Sequence, residues 1–298
     1  MLKSHNRYRY VPITERKPYT WPGGKRLAIF TALNVEVFPF AEGMGVELAA
    51  GQPQPDVVNY SWRDYGNRVG FWRLIEMLDE FEIPASMLMN TEIFDECPQI
   101  ANAIVKRGDE IVGHGRTNAE RQGQMPEDDE RQLIRSTASV IRDKTGTAPS
   151  GWLGPWVSES HVTLDLLQEA GFKYHMDWML DDQPIWMKTR AGRILSLPYV
   201  RPTNDLPLMH RYQVTPEQYA DILIDQFDEM LNQSRTAPLV FCLSFHHYFA
   251  GHAFRLKHIR RVYRHIAAHS GDVWLARTGE IADHVMGLPA GTVPGDES

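Results

Sequence analysis

The chain has 298 residues, 43% of them hydrophobic, with 31 Lys and Arg against 38 Asp and Glu. That is enough apolar material for the core of one large α/β domain. The net charge of −7 comes from scattered acids, which excludes a nucleic-acid face or a polybasic membrane anchor. Two widely separated cysteines, Cys97 and Cys242, exclude a disulfide scaffold and a zinc ribbon, and are expected as buried free thiols.

The first ten residues, "MLKSHNRYRY", are polar and aromatic without an apolar core, and no stretch approaches the length of a membrane span. A cytoplasmic protein acting on a small-molecule substrate, with no nucleic acid and no membrane as partner, is the expectation. Residues 1–25 carry "VPITERKPYTWPGGK" and no periodic pattern, so they read as an irregular arm on a single domain spanning 26–298.

From Arg26 onward short apolar runs alternate with amphipathic ones. "RLAIFTALNVEVF", "IPASMLMNT", "DEIVGHG", "SGWLGPW", "YHMDWM", "RILSLPYV", "APLVFCLSFHHY" and "DVWLART" read as strands. The segments between them, such as "PEDDERQLIRSTASVIRDKTG" and "TPEQYADILIDQFDEMLNQS", read as helices. Pro126 and Thr215 mark starts, and Gly108, Gly146 and Gly171 mark stops. Seven or eight parallel strands with alternating helices predict a barrel or a doubly wound sheet. No G-x-G-x-x-G follows the first strand, which favours the barrel.

In such folds chemistry gathers at the C-terminal strand ends, where Glu36, His114, Asn118, Trp152, Asp177, Asp182, Asn204, Asp205 and His246 fall. Glu36 among apolar residues predicts a raised pKa and a general base, or else an ion-paired structural residue. His114, between two glycines, reads as a metal ligand, an electrophile for a carbonyl, or a core histidine. In "LSFHHYFAGH", strand alternation sends His246 and His247 to opposite sides, with His246 inward, His247 peripheral and His252 a solvated loop residue. Asp177 in its apolar run needs a partner, and His246 is one choice. "SGWLGPW" offers backbone N–H groups near Trp152 to an oxyanion, or a tight turn over a core Trp. Asn204 and Asp205 suit an amide or ureido edge but are also common in turns.

In this order the segments resemble the polysaccharide deacetylase (NodB-homology) superfamily across roughly residues 26–286. The resemblance implies a distorted (β/α)7-type barrel. Its sugar N-deacetylases carry T-F-D-D-G on the first strand and H-x-x-x-H on the third, with the first aspartate as base and the second, with both histidines, on a divalent metal. This chain has "NVEVF" and "HGRTN": Glu36 stands at the base, Val37 at the metal-ligand aspartate and Asn118 at the second histidine. Further motifs are similar to the branch containing metal-independent allantoinase and cyclic-amide hydrolases. They are Asn34 and Glu36; His114 and Gly115; Gly151 and Trp152; Asp181, Asp182, Pro184 and Trp186; Pro198, Tyr199, Asn204 and Asp205; and His246, Gly251 and Arg255.

The resemblance implies a homo-oligomeric hydrolase of non-peptide C–N bonds in a cyclic amide, imide or ureide, with no cofactor required. Glu36 would be the base, His114 and backbone N–H groups the oxyanion donors, and His246, oriented by Asp177, the acid. Asn118, Trp152, Asp182, Asn204 and Asp205 would hold the substrate. The alternatives are a deacetylase of an N-acetylated sugar with zinc on His114, Glu36 and Asn118, or a binding protein on the same fold.

Overall fold

The strand β1 (Leu27–Val35) is buried along its whole length, as an unbroken apolar run requires of a parallel strand covered on both faces. In the computed structural model, which describes residues 5–296, it lies within a nine-stranded sheet. The other strands are β2 (Ala85–Met89), β3 (Glu110–Gly113), β4 (Gly151–Trp152), β5 (Tyr174–His175), β6 (Ile185–Thr189), β7 (Gly192–Ser196), β8 (Leu239–His246) and β9 (Val273–Leu275). Their order is β6-β7-β5-β4-β3-β2-β1-β8, with β9 beside the start of β1. Helices cover the outer face, so the sheet curls into a distorted, incompletely closed barrel.

One strand escaped the sequence reading. "IWMKT" forms β6, antiparallel to β7 through a tight turn at Arg190 and Ala191, so the sheet is mixed rather than all parallel. Alternation is masked here because four of the five β6 residues are buried. The helix signals performed as capping physics predicts. Glu127–Thr145 starts after Pro126 and stops at left-handed Gly146, and Thr215 forms a capping box with Gln218.

The described part of the arm, from His5, packs on its own sheet. Arg7 pairs with Asp165 at 2.7 Å, Arg16 with Asp181 at 2.5 Å, and buried Trp21 donates its Nε1–H to the Leu239 carbonyl at 3.1 Å. Met1–Ser4 of the expected arm and Glu297–Ser298 lie outside the described residues. No helix among the described residues is long and apolar enough to cross a membrane. Both cysteines are free thiols, Cys242 buried and Cys97 partly so.

Strand register sets up the site. Val35 pairs with Met89, Met89 with Gly113, Gly113 with Trp152 and Trp152 with His175, while Asn34 pairs with His246. The residues that follow this row, Glu36, Asn90 and His114, therefore emerge at one level of the C-terminal edge.

Candidate active site

Three side chains converge at that edge. Glu36 Oε1 lies 3.5 Å from His114 Nε2 and 3.8 Å from His246 Nε2, and all three residues are at least nine-tenths buried. They line a cavity of about 110 Å³ together with Asn34, Asn118, Trp156, Tyr199, Arg201, Asn204 and Tyr248.

Each group is held from behind. His114 Nδ1 donates to the Leu153 carbonyl at 2.6 Å. A carbonyl only accepts, so that nitrogen carries the proton and Nε2 faces Glu36 as a lone pair, or as a second N–H when the ring is charged. Asn90 clamps the neighbouring strand ends, accepting from the Val37 N–H at 3.0 Å and donating to the His114 carbonyl. His246 donates its backbone N–H to Asp205 Oδ2 at 2.8 Å and its Nδ1–H to Asp205 Oδ1 at 2.7 Å.

The charge states follow from these contacts. Burial favours a neutral Glu36, but the contact with His114 and the charge of His246 outweigh it and hold the carboxyl below its ordinary pKa. The expectation of a raised Glu36 pKa is thus corrected: two imidazoles, invisible in the local sequence, face it. Burial alone would lower the His246 pKa, yet Asp205 and then Glu36 raise it above its ordinary value, which stabilises the imidazolium. Tyr248 is pushed well above its ordinary pKa, chiefly by burial with Glu36 adding, and keeps its O–H.

Several expected roles move. Asp177 does not meet His246; it accepts the Gly154 N–H at 2.7 Å and lines a different cavity, and Asp205 takes the place assigned to it. Asp182 lies in a cleft against the arm, with its carbonyl accepting from Val240, and is not part of the site. Trp152 is wholly buried, packed edge-on against Phe172 and behind Gly113, where its bulk supports β3 and cannot touch a substrate.

The backbone donors proposed near Trp152 are already spent. The Leu153 N–H goes to the Gly113 carbonyl at 3.0 Å and that of Gly154 to Asp177. Asn204 lines the cavity, but its amide is committed to Tyr199 and Ser244, at 3.1 and 3.0 Å, in a network that also holds Asn34. It is a positioning residue, as is Asp205. The cavity polar atoms left buried without a partner are Glu36 Oε2, His114 Nε2 and Asn118 Oδ1. In a folded protein such atoms mark where water or a substrate binds.

The roof comes from residues the motifs did not flag. Trp156 and Val157 both hold positive φ, 67° and 54°, a conformation costing about 1–3 kcal/mol each that tends to occur at functional sites. The Trp156 Nε1–H anchors on the Asn118 carbonyl at 2.7 Å. Gly45 rests on the Trp156 ring, where a Cβ would fall 1.5 Å from a ring carbon, and Val46 beside it enters the cavity. Arg63 fixes this loop through the carbonyl of Met44 at 2.6 Å and that of Val46. Long-range packing of this kind leaves no local signal. Tyr248 was legible in principle, two residues past His246, but a helix beginning at His247 ends the alternation.

His247 faces away from the cavity, as alternation predicts, yet it is not peripheral. It is completely buried and neutral, its pKa pushed down to about 3 by burial, and it donates Nε2–H to Asn67 Oδ1 at 2.8 Å. Asn67 in turn donates to the Glu36 carbonyl at 3.3 Å, from a π-turn whose Gly70 leaves room for the His247 carbonyl. His247→Ala is expected to cost about 1–3 kcal/mol by emptying a fully buried site and removing the partner of half-buried Asn67, measurable in urea unfolding. His252 is likewise not solvated: it stacks on Tyr65 with ring centroids 4.4 Å apart.

The polysaccharide deacetylase family's metal does not fit these residues. Val37 has no donor atom and lines a separate cavity on the far side of β1, and an amide oxygen from Asn118 is a poor substitute for imidazole.

The sequence profile of the polysaccharide deacetylase family matches residues 51–175. Over 87% of this chain and 96% of its own length, a peptidoglycan deacetylase of Helicobacter pylori is 25% identical. A probable polysaccharide deacetylase of Pseudomonas aeruginosa superposes with a TM-score of 0.78 at 28% identity, covering 89% of this chain and 92% of that one. The Puue allantoinase does so with 0.79 at 27%, covering 89% and 91%. Fold and site together define a hydrolase acting on C–N bonds other than peptide bonds. The chain is similar to the polysaccharide deacetylase family over residues 51–175 and shares its fold.

Proposed function

We propose that the chain opens a small cyclic amide, imide or ureide by metal-independent hydrolysis, as in the allantoinase-like branch of that family. The observation carrying this reading is the donor set. Glu36, His114 and His246 supply a base and an acid, whereas Val37 removes the ligand on which the family's metal depends. The cavity, at about 110 Å³, is far below the roughly 300–1,000 Å³ of sites for drug-sized ligands and suits one small ring.

Water held between Glu36 Oε2 and His114 Nε2 attacks the carbonyl carbon while Glu36 takes its proton. Asn118 Oδ1 accepts from a substrate N–H, and the oxyanion develops against an N–H on His114 Nε2. His246, as imidazolium on Asp205, gives its Nε2 proton to the departing nitrogen, and the C–N bond breaks to a carboxylic acid and an amine or amide. Asn34, Tyr199, Ser244 and Asn204 keep the cavity floor rigid.

A panel of hydantoins, cyclic imides, ureides and N-acetylated amino sugars is the test. Ring-opened acid from a cyclic substrate is expected. Acetate release from the sugars alone, with zinc that His114→Ala can no longer retain, would establish the metal-dependent deacetylase instead.

A further inference from the structure

Behind the loop that roofs the cavity sits a second cluster with no part in the proposed reaction. Glu159, His175 and Asp177 each offer a ligand atom, and these atoms lie within 4.8 Å of one another. His175 Nδ1 is 3.7 Å from Glu159 Oε1. The outer oxygen of each carboxyl is already held: Trp178 Nε1 donates to Glu159 Oε2 at 2.6 Å, and the Gly154 N–H to Asp177 Oδ1 at 2.7 Å. The inner oxygens, Glu159 Oε1 and Asp177 Oδ2, are buried with no donor other than a proton held between the two carboxyls, and Asp177 is 7% exposed. His175 is completely buried, and its Nδ1 receives only a 3.4 Å contact from the Asp177 N–H.

For the two carboxylates, outer oxygens steered by N–H donors and inner oxygens turned to the centre are the arrangement a metal ion requires of its supporting shell, while His175 Nε2 has no such partner. We propose that Glu159, His175 and Asp177 bind a divalent transition-metal ion, with zinc the best fit, in a site separate from the catalytic one. One imidazole and two carboxylates select zinc or manganese over magnesium, which keeps its waters and prefers oxygen alone. Ligand atoms on a four-coordinate zinc sit about 3.4 Å apart, so the cluster needs to contract only slightly. Glu159 also lines a cavity of about 720 Å³ open at the surface, which gives the ion an entry path.

The charges around the cluster agree. Glu130 adds negative charge, and Arg7, the cation felt by Glu159 and His175, is engaged by Asp165. Without an ion, burial pushes Glu159 up to about 7 and Asp177 well above its usual range, so one proton is shared between them. Bound zinc would fix Asp177, and through it the Gly154 N–H and the strained turn at Trp156 and Val157.

Equilibrium dialysis of chelator-stripped protein against zinc chloride tests the assignment. One tightly held ion is expected in the wild type, in Glu36→Gln and in His265→Ala; the last discounts the surface cluster of Asp228, His265 and His269. Glu159→Gln and His175→Gln should lose it, with a thermal melt confirming that each folds. No ion in the wild type, or an ion kept by both variants, overturns the proposal. An ion lost from Glu36→Gln or His114→Ala instead locates it in the catalytic cavity and removes the metal-independent reading as well.

Discussion

Glu36→Gln lowers kcat by about two orders of magnitude or more on any ring-opened substrate, because glutamine keeps the shape of the carboxylate but cannot take a proton from water. The cavity itself should survive. Glu36 is 3% exposed and fixed through backbone contacts at its strand end, and the change leaves its carbonyl hydrogen bond from Asn67 intact. The substitution also removes the second-ranked attraction on His246, after Asp205, and lets burial pull that pKa down. Residual activity should therefore decline at lower pH than in the wild type. Steady-state kinetics across pH reads both effects, and full turnover in the variant would remove Glu36 as the base.

Why Glu36 and His114 were legible, and Asp177 misassigned, has one physical explanation. Parallel strands in register bring the residues just past their C-terminal ends to one level, so position along a strand predicts convergence. That logic found Glu36, His114 and His246. It cannot rank lateral partners, because Asp205 reaches His246 from the turn that opens the π-helix Leu206–Arg211, while Asp177 lies on the far side of the Leu153–Gly154 turn. The direction of the Glu36 shift failed for the same reason: local hydrophobicity reports desolvation, and the two opposing imidazoles come from positions 114 and 246. The strained turn at Trp156 and the Gly45 contact above it depend on packing between loops, for which no periodicity exists.

Asp205→Asn is the sharper test, since it separates a positioned acid from a merely buried histidine. A general acid must carry its proton, so once Glu36 is ionised turnover holds and then falls as pH rises through the His246 pKa. In the wild type that limb lies above the ordinary value of 6.5, because Asp205, foremost, and then Glu36 overcome burial. Asparagine keeps one acceptor for the His246 N–H or the ring but carries no charge, so the strongest influence raising the pKa is lost and the pKa falls. The alkaline limb should move to lower pH, and kcat at pH 8 should fall by about 10–100-fold. Stability carries the same sign. A histidine with a raised folded-state pKa stabilises fully below its unfolded value, and that contribution is lost as pH rises through the folded one. Melting curves of the wild type should therefore lose stability between about 6.5 and the His246 pKa, and those of Asp205→Asn should lose less. An unmoved kinetic limb in the variant would mean that the proton reaching the leaving nitrogen does not come from His246, leaving Tyr248, whose O–H also lines the cavity, as the donor.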